Sequence, residues 1–128
     1  MSTFDEKLKK IAKVKLIYIA GPYMGKSREE IELNIKSAQQ NAKYAVLKGW
    51  MPVIPHKNTE LFEILTPDVS IDFWYNGTLK LLDKCDAILM CPGWEFSTGA
   101  NSEHYFAVDK GLDIFYSTEE IPDLTGKI

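Results

Sequence analysis

The sequence predicts one α/β domain with a doubly wound, mostly parallel sheet. Short apolar segments with the composition of buried strands alternate with longer segments whose apolar residues recur at helical spacing. The connections between them are short, and this alternation is typical of a parallel sheet covered by helices on both faces. The chain has 128 residues, the usual size of a single domain. We therefore expect one hydrophobic core and no second module.

Four segments are predicted to be strands. The first, KLIYIA, is rich in β-branched and aromatic residues and ends at Gly21-Pro22. The third, AILMC, is apolar throughout and is broken by Pro92-Gly93. The predicted strands cover residues 15–20, 50–54, 87–91 and 112–116.

Helices are predicted between the strands and before the first of them. In the longest helix, an apolar stripe begins at Ile31 and Ile35, and Gly49 closes the helix. The predicted helices cover residues 2–13, 28–48, 70–84 and 99–110, with residues 57–69 as a loop of at most one helical turn and an extended tail from residue 117. We assign residues 1–14 to an N-terminal amphipathic extension and residues 15–128 to the α/β domain.

Composition and charge exclude several classes of function. The formal net charge of -3 argues against a binder of polymeric nucleic acid, which needs clustered positive charge. No apolar run approaches the roughly 20 residues of a membrane span, and none has the length of a signal-peptide core. Cys85 and Cys91 lack metal-ligand spacing, so we expect reduced thiols and no metal site. A cytoplasmic protein with no membrane partner is therefore expected.

Ligands of open parallel sheets bind beyond the carboxyl ends of the strands, where the strand order switches. Three segments of the chain are predicted to lie at that edge: residues 21–26, 55–58 and 92–103. The last of them leaves a buried strand and enters a helix around residue 99. Ser97, Thr98 and Gly99 would then surround free helix N–H groups, which favours an anion cradle. Simple capping of the helix by Ser97 or Thr98 explains the same residues equally well.

Glu103 follows the predicted cradle within the first turns of the helix. The helix dipole is expected to keep this carboxylate ionised, and an ionised carboxylate beside an anion site suits nucleophilic attack on a sugar carbon. A solvated glutamate near a helix start is the commoner explanation of such spacing. Glu95 is a weaker candidate for the same role.

The other candidates are glycines and aromatic residues near the strand ends. The glycines of Gly21-Pro22-Tyr23-Met24-Gly25 allow close approach to a ligand, although the segment is not a dinucleotide fingerprint. Composition alone favours a core role for Tyr18 and a structural role for His56. Trp94 is predicted to be a loop residue at the site edge, able to stack on a flat base.

Several of these residues together resemble the nucleoside 2-deoxyribosyltransferase superfamily. The resemblance rests on the segment from Tyr18 to Tyr23, on Asn34, on Pro52-Val-Ile-Pro-His56 and, most specifically, on the segment from Cys85 to Glu103. It covers residues 15–116 and is nearest the small phage and bacterial branch and the (deoxy)nucleoside 5'-monophosphate N-hydrolases.

The resemblance implies a Rossmann-like (flavodoxin-like) fold, assembly as a homodimer or dimer of dimers, and cleavage of a base–sugar bond without a cofactor. By the same resemblance, Glu103 is the nucleophile that forms a glycosyl-enzyme intermediate, and Tyr18 lies beside it. Ser97 stands where the nucleotide hydrolases have a phosphate-binding serine and the transferases an aspartate. The substrate is then a small nucleotide or nucleoside. Gly21, Pro22 and the base-pocket candidates Tyr23, His56 and Trp94 complete the predicted site.

Two positions depart from the family pattern. Thr78 stands where the family usually has an aspartate that assists the leaving base or the nucleophile, and Asp72 is not on the same helix face. Met24 stands where the hydrolases have a phosphate-binding arginine, with Lys26 nearby. Two alternatives therefore stay open: a deoxyribosyltransferase acting on free nucleosides, and a nucleotide-binding protein that has lost its chemistry.

Overall fold

The computed structural model describes residues 3–126 and shows six helices and four strands among them. The strands are β1 (Leu16–Ala20), β2 (Met51–Val53), β3 (Ala87–Met90) and β4 (Asp113–Phe115). The helices are α1 (Phe4–Ala12), α2 (Arg28–Leu47), α3 (Pro55–Asn58), α4 (Phe62–Leu65), α5 (Ile71–Asp83) and α6 (Thr98–Lys110), with 3-10 turns at Trp94–Phe96 and Thr118–Glu120.

The four strands form one parallel sheet in the order β2-β1-β3-β4. Tyr18 in β1 is paired with Val53 of β2 on one side and with Ile88 of β3 on the other. The strand order therefore runs outward in both directions from the central β1–β3 pair. The switch point of the sheet lies at the carboxyl ends of these two strands. The fold is Rossmann-like α/β, as the sequence predicts.

The core lies on both faces of the sheet, because alternate residues of a strand point to opposite sides. Ile17 and Ile19 of β1 pack with the alanine stripe of α2. Tyr18 and Ala20 face the other way and pack with α5 and α6. Any ligand chemistry at Tyr18 therefore belongs to the α5–α6 side of the sheet.

The structure departs from the sequence prediction in the segment after β2 and in the C-terminal segment. Residues 62–65 form one helical turn, which agrees with the loop and single turn predicted for residues 57–69, whereas the short helix over residues 55–58 is not predicted. The C-terminal segment is not simply extended, since it makes a 3-10 turn and buries Ile121 in the core. The N-terminal helix begins at Phe4 after the Thr3 cap; the predicted start at Ser2 lies outside the described residues. No helix within residues 3–126 has the length and hydropathy to cross a membrane.

Candidate active site

The loops after β1 and β3 approach each other closely at the switch point. A Cβ atom on Gly21 would lie 3.1 Å from the Cβ of Cys91, so a larger residue at position 21 would push the two loops apart. The Cys91 N–H donates to the Ala20 carbonyl at 2.7 Å and holds the loops together. Residues 21–26 and residues 92–103 are both predicted to lie at the carboxyl ends of the strands. In the structure these two segments are neighbours.

Tyr18 and Glu103 form a buried hydrogen-bonded pair on the α5–α6 side of the sheet. The Tyr18 side chain is fully buried, and Glu103, in the second turn of α6, is 9% exposed. The Tyr18 hydroxyl donates to Oε2 of Glu103. A carboxylate this deep in a core is costly and is seldom found without a partner, so the pair is the first candidate for chemistry in this fold.

Burial shifts the pKa values of both groups upward. The pKa of Glu103 is raised to about 7, because burial penalises the charged form more than the Tyr18 hydrogen bond favours it. The pKa of Tyr18 lies well above its usual value, chiefly because of burial and then because of the nearby Glu103 charge. The expectation that the helix dipole keeps Glu103 fully ionised is therefore wrong. The dipole acts mainly within the first turn of a helix, and Glu103 lies beyond it.

Thr78 of α5 lies beside the Tyr18 hydroxyl. Its side chain lies close enough to the Tyr18 phenol to lower the pKa of that phenol, although burial still dominates. Its hydroxyl also donates to the Tyr75 carbonyl at 3.0 Å. The Thr78 side chain is half-buried and carries no charge. Asp72, at the start of α5, is exposed. The Tyr18–Glu103 pair thus has a hydroxyl beside it where the resembled family has a carboxylate.

Ser97, Thr98 and Gly99 lie at the N-terminus of α6. Ser97 is the N-cap, and its Oγ accepts a hydrogen bond from the Ala100 N–H at 3.2 Å. The N–H groups of Thr98 and Gly99 belong to the first turn of the helix and have no carbonyl partner within it. A Cβ on Gly99 would meet only Ser97 Oγ, at 3.9 Å, so the backbone here is open to a ligand. Helix capping accounts for the hydrogen bond of Ser97. The free N–H groups of Thr98 and Gly99 have the geometry to bind an anion.

Trp94 is half-buried in the 3-10 turn before α6 and contacts two other rings. Its ring centroid is 4.6 Å from that of His104 and 6.3 Å from that of Tyr116. Nε2 of His104 in turn lies 2.9 Å from the Tyr116 hydroxyl. Glu95 and Phe96 in the same turn are exposed. Trp94 is thus held by aromatic neighbours rather than lying free in a loop.

Tyr23 and His56 fix the loop after β1. The Tyr23 hydroxyl donates to Glu63 at 3.0 Å, and the Asn34 amide donates to the Tyr23 carbonyl at 3.0 Å. His56 is 5% exposed, and its Nε2 lies 2.9 Å from the Pro22 carbonyl. Burial lowers the pKa of His56, and its buried Nδ1 has no hydrogen-bond partner among residues 3–126.

His56 lies on the α2 side of the loop, apart from the Tyr18–Glu103 pair. It lines a cavity of about 30 Å³, large enough for a water molecule, together with Asn34 and Ser37 of α2. This arrangement matches the structural role that composition favours for His56. Within the described residues, no group of three or more His, Cys, Asp or Glu side chains is placed to hold a metal ion.

Residues 15–116 match a protein family described as a domain of unknown function, DUF4406. The chain belongs to this family. The DUF4406 domain is also similar to the solved structure of a 2-desoxiribosyltransferase from Leishmania mexicana, with 24% sequence identity and a TM-score of 0.49. That similarity covers 78% of this chain and 61% of the Leishmania protein, so the chain spans less than two thirds of its length. No curated protein matches the sequence.

Three residues that shape the site of this DUF4406 domain are not evident from the sequence. Asn101 donates from its amide to the carbonyls of Glu95 and Ser97, both at 2.9 Å, and so fixes the turn before α6. His104 holds Trp94, and Glu63 holds Tyr23. A local signal exists only for Asn101, because an asparagine in the first turn of a helix often hydrogen-bonds to nearby backbone.

Proposed function

We propose that this domain is an N-glycosidase that cleaves the base–sugar bond of a (2'-deoxy)nucleoside 5'-monophosphate, with Glu103 as nucleophile. The proposal rests chiefly on one observation, the buried Tyr18–Glu103 pair, in which Glu103 lies one turn beyond the N-terminal turn of α6. The resemblance of residues 15–116 to the deoxyribosyltransferase superfamily supports the same assignment. The protein would be a cytoplasmic homodimer or dimer of dimers that binds a small molecule and no nucleic-acid polymer.

In the proposed reaction, an ionised Glu103 oxygen attacks C1' while the bond from C1' to the base nitrogen breaks. The bonding electrons leave with the base, which takes a proton from solvent. Water then attacks C1' and gives up a proton to solvent while the bond from C1' to the Glu103 oxygen breaks, which releases the sugar 5'-phosphate and restores the carboxylate. Tyr18 orients Glu103 and hydrogen-bonds to its charged form. The two steps need no cofactor, because the carboxylate and the oxocarbenium character of the sugar suffice.

The 5'-phosphate would bind at the N-terminus of α6. The Ser97 hydroxyl and the N–H groups of Thr98 and Gly99 are donors there, and the positive end of the helix dipole favours a dianion. An aspartate at position 97 would repel the phosphate, so Ser97 favours a monophosphate over a free nucleoside. Gly21, Pro22 and Tyr23 would form the opposite wall, His56 would hold that wall through Pro22, and Trp94 would lie against the base.

A second candidate is a nucleotide-binding protein without turnover, and a specific observation favours it. The hydroxyl of Thr78, which lies beside Tyr18, is too weak an acid to protonate a leaving base at neutral pH. The loss of a general acid typically costs about 10²- to 10⁴-fold in rate. Met24 is exposed and provides no cation for a phosphate.

Base release from a panel of substrates tests the proposal. The panel contains 2'-deoxynucleoside monophosphates, ribonucleoside monophosphates and free nucleosides, each with and without a second acceptor base. Wild-type protein is compared with Glu103→Gln and with Glu95→Gln, a matched control in the adjacent exposed turn.

The proposal expects base release from a monophosphate without an acceptor, lost in Glu103→Gln and kept in Glu95→Gln. Exchange that needs an acceptor and prefers free nucleosides would make the protein a deoxyribosyltransferase instead. Tight nucleotide binding with no turnover on any substrate would favour the second candidate.

A further inference from the structure

The N-terminal helix α1 presents an apolar face that nothing in the described chain covers. Phe4, Leu8 and Ile11 are spaced to lie on one side of the helix, and Phe4 is 73% exposed. No residue of α1 is buried. An apolar helical face of this kind gains stability only by packing against another surface.

The polar face of α1 and its connection to β1 are basic. Residues 4–15 contain five lysines against Asp5 and Glu6. Lys7 and Lys10 flank the apolar face on one side, since they precede Leu8 and Ile11 by one position each. A partner surface should therefore be both apolar and acidic.

Residues 62–73 form such a surface, which we call the acidic apolar surface. It includes α4 and the start of α5, and it contains three acidic residues and no lysine, arginine or histidine. Its large apolar side chains are exposed, with Ile71 at 70%. The surface contains Glu63, Ile64, Leu65, Asp68, Ile71, Asp72 and Phe73.

The apolar face of α1 and the acidic apolar surface lie at opposite ends of the strands of the sheet. Helix α1 is joined to the amino end of β1 by residues 13–15. The acidic apolar surface lies at the carboxyl edge, because Glu63 accepts a hydrogen bond from Tyr23, which follows β1. A strand of five residues is about 17 Å long, and no residue of α1 is buried, so α1 is not packed on this surface of its own chain.

We propose that α1 of one copy docks on the acidic apolar surface of a second copy. In a two-fold dimer the contact occurs twice, with each α1 seated on the other chain. Lysines of α1 then lie opposite Asp68 and Asp72, and Phe4, Leu8 and Ile11 pack on the exposed apolar side chains. Residues 4–14, which precede the part of the chain that matches the family, thus serve as an assembly element.

The test measures molar mass in solution by light scattering over a range of protein concentrations. It compares the full chain, a chain lacking residues 1–14, an α1 variant with Lys7→Glu and Lys10→Glu, and a surface variant with Asp68→Lys and Asp72→Lys. Matched controls carry the same charge changes elsewhere: Lys36→Glu with Lys43→Glu on α2, and Glu29→Lys with Asp109→Lys. Circular dichroism confirms that each variant is folded.

The proposal expects a dimer for the full chain and for both controls. It expects at least tenfold weaker self-association for the truncated chain, the α1 variant and the surface variant. Mixing the α1 variant with the surface variant should restore a dimer, because both contacts of the mixed pair then join opposite charges. A monomeric full chain, a truncated chain that dimerises as well as the full chain, or a mixture that stays monomeric would each overturn the proposal.

Discussion

The phenol of Tyr18, in the middle of β1, donates a hydrogen bond to the carboxylate of Glu103, 85 positions later in α6. Both groups are buried, and the bond crosses from the sheet to the helix that covers it. Burial raises the pKa of Glu103 to about 7, so near neutral pH both the charged and the protonated forms are populated. The proposed nucleophile is therefore available only in part at pH 7.

Removal of the Tyr18 hydroxyl should shift the pH dependence of catalysis. The wild type is expected to gain activity as Glu103 ionises through a pKa of about 7. Tyr18→Phe removes a hydrogen bond that lowers this pKa, so the rise in activity should move to higher pH. Base release at pH 7 should fall about ten- to a hundredfold, with a smaller loss at high pH.

The measurement is the pH profile of kcat/KM for base release. Tyr44→Phe, at an exposed position of α2, is the matched control and should leave the profile unchanged. A Tyr18→Phe profile with the wild-type midpoint would contradict the role given to this phenol.

Glu103→Gln should stabilise the fold at alkaline pH. The folded-state pKa is above the ordinary value of 4.5, so the folded protein holds this proton more tightly than the unfolded chain does. Stability from this group is present at low pH and is lost as pH rises through about 7. The shift corresponds to about 3 kcal/mol between pH 4 and pH 8.

Urea unfolding at pH 5 and pH 8 measures this effect. The stability of Glu103→Gln relative to the wild type should rise from the lower to the higher pH, because glutamine does not titrate. An equal difference at the two pH values would show that Glu103 ionises normally in the folded protein.

Substitutions at Ser97 should separate helix capping from phosphate binding. Ser97→Ala removes the cap of α6 and should cost about 1 kcal/mol of stability. Ser97→Asp keeps a capping oxygen but places a charge where the phosphate is proposed to bind. It should leave stability nearly unchanged and lower kcat/KM for monophosphates relative to free nucleosides at least tenfold.

Thermal unfolding and the ratio of the two kcat/KM values check these expectations together. If Ser97→Asp kept the wild-type preference, the phosphate would not bind at the start of α6.

An acidic residue at position 78 should assist the departure of the base. The side chain at this position contacts Tyr18, so a carboxyl group there would lie beside the reacting pair. Thr78→Asp should speed base release about tenfold or more, with a new loss of activity at high pH where the acid is ionised. Thr78→Asn has the same shape without the proton and is the control in steady-state assays. Equal rates for the two variants would exclude a missing general acid as the limit on activity.

The main elements of the fold are predictable because local patterns specify them. Strands β1 and β3 are buried apolar segments, and the parallel sheet follows from the alternation of strands with helices. The short helices α3 and α4 lack such a pattern. The second is held by a long-range contact from Tyr23 to Leu61 and Glu63, and Leu61 adopts a left-handed conformation that sequence does not reveal.

The site could be predicted in part for similar reasons. The spacing of Glu103 from the buried Ala100 and Ala107 places all three on one face of α6, so its burial could have been inferred. The raised pKa of Glu103 could not have been inferred from the sequence, because the shift depends on how deeply this side chain packs against β1. The location of His56 on the α2 side depends on its contact with Pro22, 34 positions away.

Trapping of the glycosyl-enzyme intermediate tests the central claim most directly. Turnover of a 2'-deoxynucleoside monophosphate is quenched rapidly with acid, and the modified peptide is located by mass spectrometry. The account predicts that the peptide containing Glu103 carries deoxyribose 5'-phosphate, joined through C1' to the Glu103 carboxylate as an ester. This ester should be absent from Glu103→Gln and present in Glu95→Gln. Base release without such an ester, or an ester on another residue, would contradict it.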